Sequence, residues 1–448
     1  MKLLFVLSEY LPESGGGIIS YYAGILPRLV DAGHTVDVLV LARKFLDRPS
    51  HIMDGVQITY LKQEYLETVE GCFERYRFDF PTFAAFLPLA WAAYEQVQHG
   101  LGYDLVETSD FQLLFAPWVI SDDSPPAVVA LHGSCGQLDW YASSEKYAFD
   151  GDYLRLVESK AFSSASGVYT NSESNSKFWE AATNRQIPIL PPDAEQKIKL
   201  SPLAPDHADY GVVIGRFQNW KGPRVLCHAL KQLQGKQIRW FGSDVVDLST
   251  GKVHSDLLSR EFPGLIGSQL ILEKSRPRKE IFYEIVSAAY LCVPSEWDVF
   301  NLTVIEAMTL GTPVICSKNA GASMLIEHGK NGFLFDPNEP DQLVSSIQTV
   351  LGLTVSQKKS LTENALQTLR QRLDAKMLMT ERIKFYKSVI EMDSNWKADE
   401  WLQHALSPRN ESDLRGERLR AFTAHELIKA AGIQLRMGLQ RRFEVLKK

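Results

Sequence analysis

The sequence predicts an α/β chain built from two successive doubly wound domains, and three observations carry that expectation. First, the chain opens as strand, glycine-rich turn, helix and strand: Lys2–Leu7, Gly15-Gly16-Gly17, Ile18–Ala32 and Thr35–Leu41. That order is the opening of an open parallel sheet. Second, the same alternation restarts at Gly211-Val-Val-Ile-Gly215. Third, the proline-rich, weakly periodic stretch 188–205 lies between the two halves and reads as a connection.

The first half continues with strands at Val56–Leu61, Asp104–Thr108, Ala127–Leu131 and Val168–Thr170, with helical stretches between them. In the second half, strands are predicted at Gln237–Phe241, Leu270–Leu272, Tyr290–Val293, Val314–Cys316 and Gly332–Phe335. A helix runs from Gly222 to about Leu233, another over Leu302–Leu310, and three more over Glu339–Leu351, Ser356–Arg372 and Ala375–Met392. Gly311-Thr-Pro313 stops the Leu302–Leu310 helix. No sequence repeat relates the halves, so the doubling is architectural.

Composition excludes several classes. The 448 residues allow two or three domains, and 45% hydrophobic with 23% charged residues is ordinary for a globular protein. A net charge of −6 offers no basic field for nucleic acid. The five cysteines, Cys72, Cys135, Cys227, Cys292 and Cys316, form no CxxC pair, which argues against a zinc site or a disulfide framework and fits a reducing, cytoplasmic compartment. Met1–Leu7 runs straight into a loop and reads as a strand, not a leader. No stretch approaches the roughly 18 apolar residues of a membrane span. The nearest, Phe83–Tyr94, contains Pro88 and reads as a buried helix or the wall of a groove.

The chemistry concentrates in Pro294-Ser-Glu-Trp-Asp298-Val-Phe-Asn-Leu-Thr-Val-Ile-Glu306-Ala-Met308. It follows the apolar run Ala288–Val293, so Asp298 falls in a loop at a strand's carboxyl end, and Glu306 lies about two turns along the next helix. The N–H groups near Phe300, Asn301 and Leu302 open that helix and favour an anion. A carboxylate inside the helix accepts both hydroxyls of a ribose cis-diol. Phosphate on the amides, ribose on Glu306 and a sugar near Asp298 together describe a nucleotide-sugar site. A chance pair of solvated acids is the plain alternative, and the apolar surroundings weigh against it. Arg216 follows a buried strand and Lys221 precedes Gly222 before a helix, so both can aim into a cleft between the halves. His132-Gly133-Ser134 sits directly after the strand Ala127–Leu131, where open sheets bind ligands. Gly16 and Gly17 leave amides open to a phosphate. The turn lacks the spaced dinucleotide fingerprint and its later acid.

This segment resembles the family 4 retaining glycosyltransferases of the GT-B fold. They carry Pro-Ser, an acid, an aromatic-containing loop, and a second acid followed by Ala-Met and Gly-Thr-Pro-Val. Here Asp298 stands where the family has Glu, Glu306 is the second acid, and Gly311–Ile315 and Gly329-Lys-Asn-Gly-Phe-Leu334 continue the pattern in order. The likeness spans roughly residues 1–390. It implies a Rossmann-like acceptor domain over 1–205, a Rossmann-like nucleotide-sugar donor domain over 206–375 facing it across a cleft, and a helix over 376–395 crossing back. Residues 396–448 form a helical extension. The resemblance further implies that His132 orients the donor sugar and that Asp298 holds its hydroxyls or the positive anomeric centre. Arg216 and Lys221 neutralise the diphosphate, Glu306 takes the ribose, and Gly16 and Gly17 close over the phosphates. Two cations and helix amides can stabilise that leaving group without a metal. The implied partners are a nucleotide-sugar donor and a glycan or lipid-linked acceptor, with no resident cofactor. The turn Ala320-Gly321-Ala322-Ser323 departs from the family: Met324 replaces its Glu, and Glu327 is out of register.

Other readings remain at this stage. A nucleotide-sugar epimerase or a sugar phosphorylase shares the fold, and so does a non-catalytic partner subunit. The loops Gln63–Arg77 and Gly136–Asp152 carry no readable acceptor motif. The end of the chain, with Trp396, Trp401, Lys429, Arg436, Arg441, Arg442, Lys447 and Lys448 among apolar residues, fits either a capping helix or a basic face on the inner surface of a membrane.

Overall fold

The structure, a computed structural model, describes the chain except residues 13–15, 78, 143–148, 195–208, 248–249, 393–397, 410–427 and 429–448. Gly15, the end of the proline-rich connection, Trp396 and the basic C-terminal residues therefore lie outside the described residues.

The first lobe is built on seven strands: β1 Lys2–Leu7, β2 Thr35–Val40, β3 His51–Met53, β4 Val56–Tyr60, β5 Leu105–Ser109, β6 Ala127–Leu131 and β7 Gly167–Thr170. Their order is β3-β4-β2-β1-β5-β6-β7, all parallel except the β3–β4 pair. Strand β1 shows how the sheet is covered. Leu4 and Val6 enter one core with Leu39, Phe83 and Val129, while Leu3, Phe5 and Leu7 enter the other with Tyr22, Val38 and Tyr169. Alternate side chains leave opposite faces of a strand, so a strand buried on both faces is apolar throughout. The Pro81–Gln96 helix is core, as its composition predicts: Phe83, Leu87, Trp91 and Tyr94 are all buried. Strand β3 is an addition to the expected set. It is short, half-exposed and antiparallel, so it lacks the apolar run that marks the others.

The second lobe holds β8 Tyr210–Ile214, β9 Gln237–Phe241, the small hairpin β10 Val246–Asp247 and β11 Lys252–Val253, then β12 Leu270–Glu273, β13 Tyr290–Val293, β14 Val314–Ser317 and β15 Phe333–Phe335. The six-stranded sheet runs β12-β9-β8-β13-β14-β15 and is parallel throughout.

Each sheet reverses its winding once, between β1 and β5 in the first lobe and between β8 and β13 in the second. Two adjacent strands whose crossovers depart in opposite directions leave a crevice at their carboxyl ends. Gly16 and Gly17 follow β1, and the segment after β5 leads to Asp110. Arg216 and Lys221 follow β8, and Asp298 follows β13.

The chain then returns. The Ala375–Glu391 helix leaves the second lobe at Leu378 and puts Tyr386 and Val389 into the core of the first. Beyond it, Ala398, Leu402, Ala405 and Leu406 are buried in the first lobe's other core. Tyr76 donates from its hydroxyl to the Ala405 carbonyl at 2.7 Å and Trp91 from Nε1 to that of Leu406 at 2.7 Å. The described part of the C-terminal extension thus caps the first sheet. No helix among the described residues is long and apolar enough to cross a membrane.

Candidate active site

In the second lobe the loops after β8 and β13 are folded onto one another. Gly222 has φ +75, and a Cβ there would overlap the Pro294 carbonyl. Only glycine meets both demands. The close approach lets the Glu296 amide donate to the Trp220 carbonyl at 2.9 Å. It also brings Lys221 Nζ onto Asp298 Oδ2, with the two side chains 23% and 14% exposed. Asn301 Nδ2 donates to the same oxygen at 2.6 Å. Asn301 is the N-cap of the Leu302–Leu310 helix, whose first N–H groups have no intrahelical partner. Its Oδ1 is buried without a partner among the described residues, as is Nε2 of Gln218 in the loop after β8. Unpaired buried polar atoms are costly and uncommon. These two lie at the carboxyl ends of β13 and β8, on either side of the Lys221–Asp298 contact in sequence.

Glu306 is 6% exposed inside the helix and accepts from Arg278 Nη2 at 2.7 Å. Burial pushes its carboxyl above the usual range, and the adjacent guanidinium opposes that push.

Across from these, the loop after β6 is held from behind by two buried acids. Asp110 accepts from the backbone amides of His132 and Gly133 at 3.0 and 3.1 Å. Glu158 accepts from the Ser134 hydroxyl at 2.6 Å and the Gly136 amide at 2.9 Å. Burial raises Asp110 to about 7 and Glu158 to about 8. The His132 ring packs edge-on against Tyr21 and Tyr22, with centroids 4.5 and 5.5 Å away. Burial, reinforced by the positive charge of Arg382, lowers His132 to about 3, so the ring is neutral. Asn171 Nδ2 lies 3.0 Å from Nδ1. With the amide donating, Nε2 carries the ring proton, and that atom is buried without a partner among the described residues.

The two lobes meet at these loops. Tyr141 stacks on Trp297 with centroids 4.4 Å apart and planes 6° apart. Trp297 and Val299 each approach to 3.5 Å of where a Cβ on Gly133 would stand. A Cβ on Gly321 would overlap the Val299 carbonyl and crowd Ser172 Oγ at 2.6 Å. The segment carrying Asp298 therefore lies against the His132–Gly133 turn.

Among the residues singled out from sequence, Lys221, Asp298 and Asn301 are in direct contact, and His132 sits in the opposing loop. Phe300 and Leu302 are half-buried at the start of the helix. Arg216 is exposed in the loop after β8, which is pinned by Trp240 Nε1 donating to the Gly215 carbonyl at 2.7 Å. Gly16 caps the Gly17–Asp31 helix, and added Cβ atoms on Gly16 and Gly17 would meet nothing within 4 Å. Met324 packs against the second lobe's core and offers its carbonyl to Arg372, and Glu327 pairs with Lys330 at 2.7 Å on the surface. Sequence reasoning missed Asp110, Glu158, Asn171, Gln218 and Arg278. Asp110 had a readable signal: acids at Glu107 and Asp110 fall within and just after the strand Leu105–Ser109, at a sheet's carboxyl edge.

Two parallel-sheet lobes meeting through their switch-point loops define the GT-B fold. Comparisons with known proteins agree. Sucrose-phosphate synthase from Thermosynechococcus elongatus is 20% identical, with a TM-score of 0.67 over 87% of this chain and 99% of that one. Anabaena HepE in complex with UDP-glucose is 20% identical, with a TM-score of 0.63 over 87% of this chain and all (100%) of the other. Residues 195–368 match the family model for glycosyl transferases, group 1. An uncharacterised glycosyltransferase of Methanocaldococcus jannaschii is 23% identical over 88% of this chain and 99% of its own length. D-inositol 3-phosphate glycosyltransferase of Corynebacterium urealyticum is 23% identical over 75% of this chain and 82% of its own. The protein is an enzyme of the glycosyltransferase type.

Proposed function

We propose that the protein is a retaining, metal-independent glycosyltransferase of family 4. It moves a sugar from a nucleotide-sugar donor to a glycan or lipid-linked acceptor, in the cytoplasm. The observation that carries this reading is the Lys221–Asp298–Asn301 contact at the second lobe's switch point, set opposite the neutral His132. Arg216, Lys221 and the amides that open the Leu302–Leu310 helix bind the diphosphate, with Gly16 and Gly17 closing from the other lobe. Glu306 takes the ribose, steadied by Arg278. His132 offers Nε2–H to a sugar hydroxyl.

In the reaction, the bond between the anomeric carbon and the diphosphate oxygen breaks, and its electrons stay on the diphosphate. Lys221 and Arg216 stabilise the growing negative charge, while Asp298 stabilises the positive anomeric centre. The acceptor oxygen attacks from the face the diphosphate leaves, and its proton passes to a diphosphate oxygen. The likeness to HepE, whose structure holds UDP-glucose, supports a sugar-nucleotide donor by analogy of fold only.

A thermal-shift screen of nucleoside diphosphates and their sugars tests the donor, because a ligand of the native state raises Tm. One donor should raise Tm and release nucleoside diphosphate slowly in water, unaffected by a chelator, and Arg216→Ala and Lys221→Ala should abolish the release. An intact donor under every condition favours a non-catalytic partner subunit. Inversion at the anomeric carbon, read by NMR of the product, overturns the retaining assignment.

A further inference from the structure

We propose that Arg382, on the helix that returns from the second lobe, is a positioning residue for His132, acting through Tyr21. The proposal rests on the reading of the cleft as a donor site and adds a residue to it.

Arg382 is 3% exposed in the first lobe's core. Its guanidinium donates to the Tyr21 hydroxyl and, at 3.2 Å, to that of Tyr386. It also lies over the Tyr169 ring, 4.8 Å from the centroid. The balancing charge is Glu107 on β5, which is fully buried and accepts from Tyr22 at 2.9 Å, Tyr169 at 2.7 Å and Tyr386 at 2.6 Å. Phenols thus connect a buried cation to a buried anion. Removing water from two charges costs several kcal/mol per ion, and apolar packing of the same volume is often as stable. A charge pair kept in such a place calls for a role other than stability.

Geometry supplies one. The Tyr21 hydroxyl is fixed from three directions: by Arg382, by Tyr169 Oη at 3.3 Å and by the Leu190 carbonyl at 3.3 Å. The ring thereby locked is the one packed closest to His132. Asn171 fixes the ring's Nδ1, and Asp110 fixes the backbone beneath it. Tyr21 is the nearest ring wall, with Tyr22 and Tyr169 standing farther off. Arg382 also bears on the charge of His132. A diphosphate arriving nearby would draw a proton onto the imidazole, and the guanidinium opposes it. A neutral ring keeps one defined donor, Nε2–H, for a sugar hydroxyl. The two segments that link the lobes, at Leu190 and on the return helix, both end in this cluster, so their placement sets that of His132.

The test uses full-length wild type, Arg382→Met, Arg382→Lys and Tyr21→Phe. The ring nitrogens of His132 are observed by 15N NMR and assigned with His132→Gln. In Arg382→Met, His132 should titrate about one unit or more higher and lose its single tautomer. Its kcat should fall about ten-fold or more, within the ~100-fold that a 1 Å misplacement can cost, with donor KM unchanged. The acid limb of the pH profile should move up, and Arg382→Lys should restore part of it. Tyr21→Phe should shift in the same direction by less. Should Arg382→Met fail to fold because Glu107 is left uncompensated, Arg382→Met/Glu107→Gln removes both charges and takes its place. A folded variant with the wild-type tautomer, titration and pH profile overturns the proposal. Absence of nucleotide binding in the wild type would instead defeat the donor-site reading, and the NMR result would still decide the role of Arg382.

Discussion

Asp298 accepts from Lys221 and Asn301 through one oxygen, so its charge and that of Lys221 are partly spent on each other before any ligand arrives. On the proposed roles, Asp298→Asn releases the lysine for phosphate while removing the carboxylate that would face the anomeric centre. Donor binding should therefore hold or tighten while kcat falls about 100-fold or more, the size of effect seen when transition-state charge loses a partner. Titration of the Tm shift against donor, beside steady-state kinetics, separates the two. The sequence made this pair legible because Lys221 precedes Gly222 at the start of a helix and Asp298 lies in the loop after the apolar run Ala288–Val293. Arg278 was not legible. Nothing in its own neighbourhood announces that a helix from another crossover delivers it to Glu306. Arg382 was hidden for the same reason, as one basic residue among several in the Ala375–Glu391 helix.

The loop after β6 is an element held by acids that burial keeps protonated near neutral pH. Glu158 titrates near 8 in the folded chain and near 4.3 when unfolded. Between those values the native state holds a proton that the unfolded state has released. Its contribution to stability is therefore full below the lower value and is lost as pH rises through the window, by up to about 1.4 kcal/mol per pH unit. Asp110, raised to about 7, acts in the same sense, and His132, lowered to about 3, acts in the opposite sense below its usual range. Glu158→Gln keeps an acceptor for the Gly136 amide and removes the titration. Urea unfolding from pH 5 to 8 should give a flatter stability curve for the variant. The β8 loop makes a second prediction. Gly222→Ala forces a side chain into left-handed backbone and against Pro294, which should cost about 1–3 kcal/mol and loosen the donor loop with it. Thermal unfolding with and without nucleotide measures both. Strand positions were readable because two-sided burial leaves an apolar run. The short hairpin β10–β11 and the edge strand β3 were not, because neither carries one.

At the scale of the whole molecule, the described chain passes from the first lobe to the second and returns, and residues 398–406 pack on the first. Leu402 is fully buried there although it follows the return helix. Leu402→Ala should therefore cost about 2–5 kcal/mol, read from the urea midpoint, whereas a dispensable tail would tolerate the change within about 0.5 kcal/mol. The doubled architecture was visible in the restart of strand and helix at Gly211, and the switch points followed once the strand order was known. What composition does not encode is how two lobes touch, since that depends on surfaces made only after each has folded. One such touch has an optical consequence. The indole of Trp297 rests flat on a phenol from the opposite lobe, so its emission is quenched or shifted according to whether that neighbour is present. The difference spectrum between wild type and Trp297→Phe isolates this one fluorophore, and following it during turnover reports whether the two lobes stay in contact there.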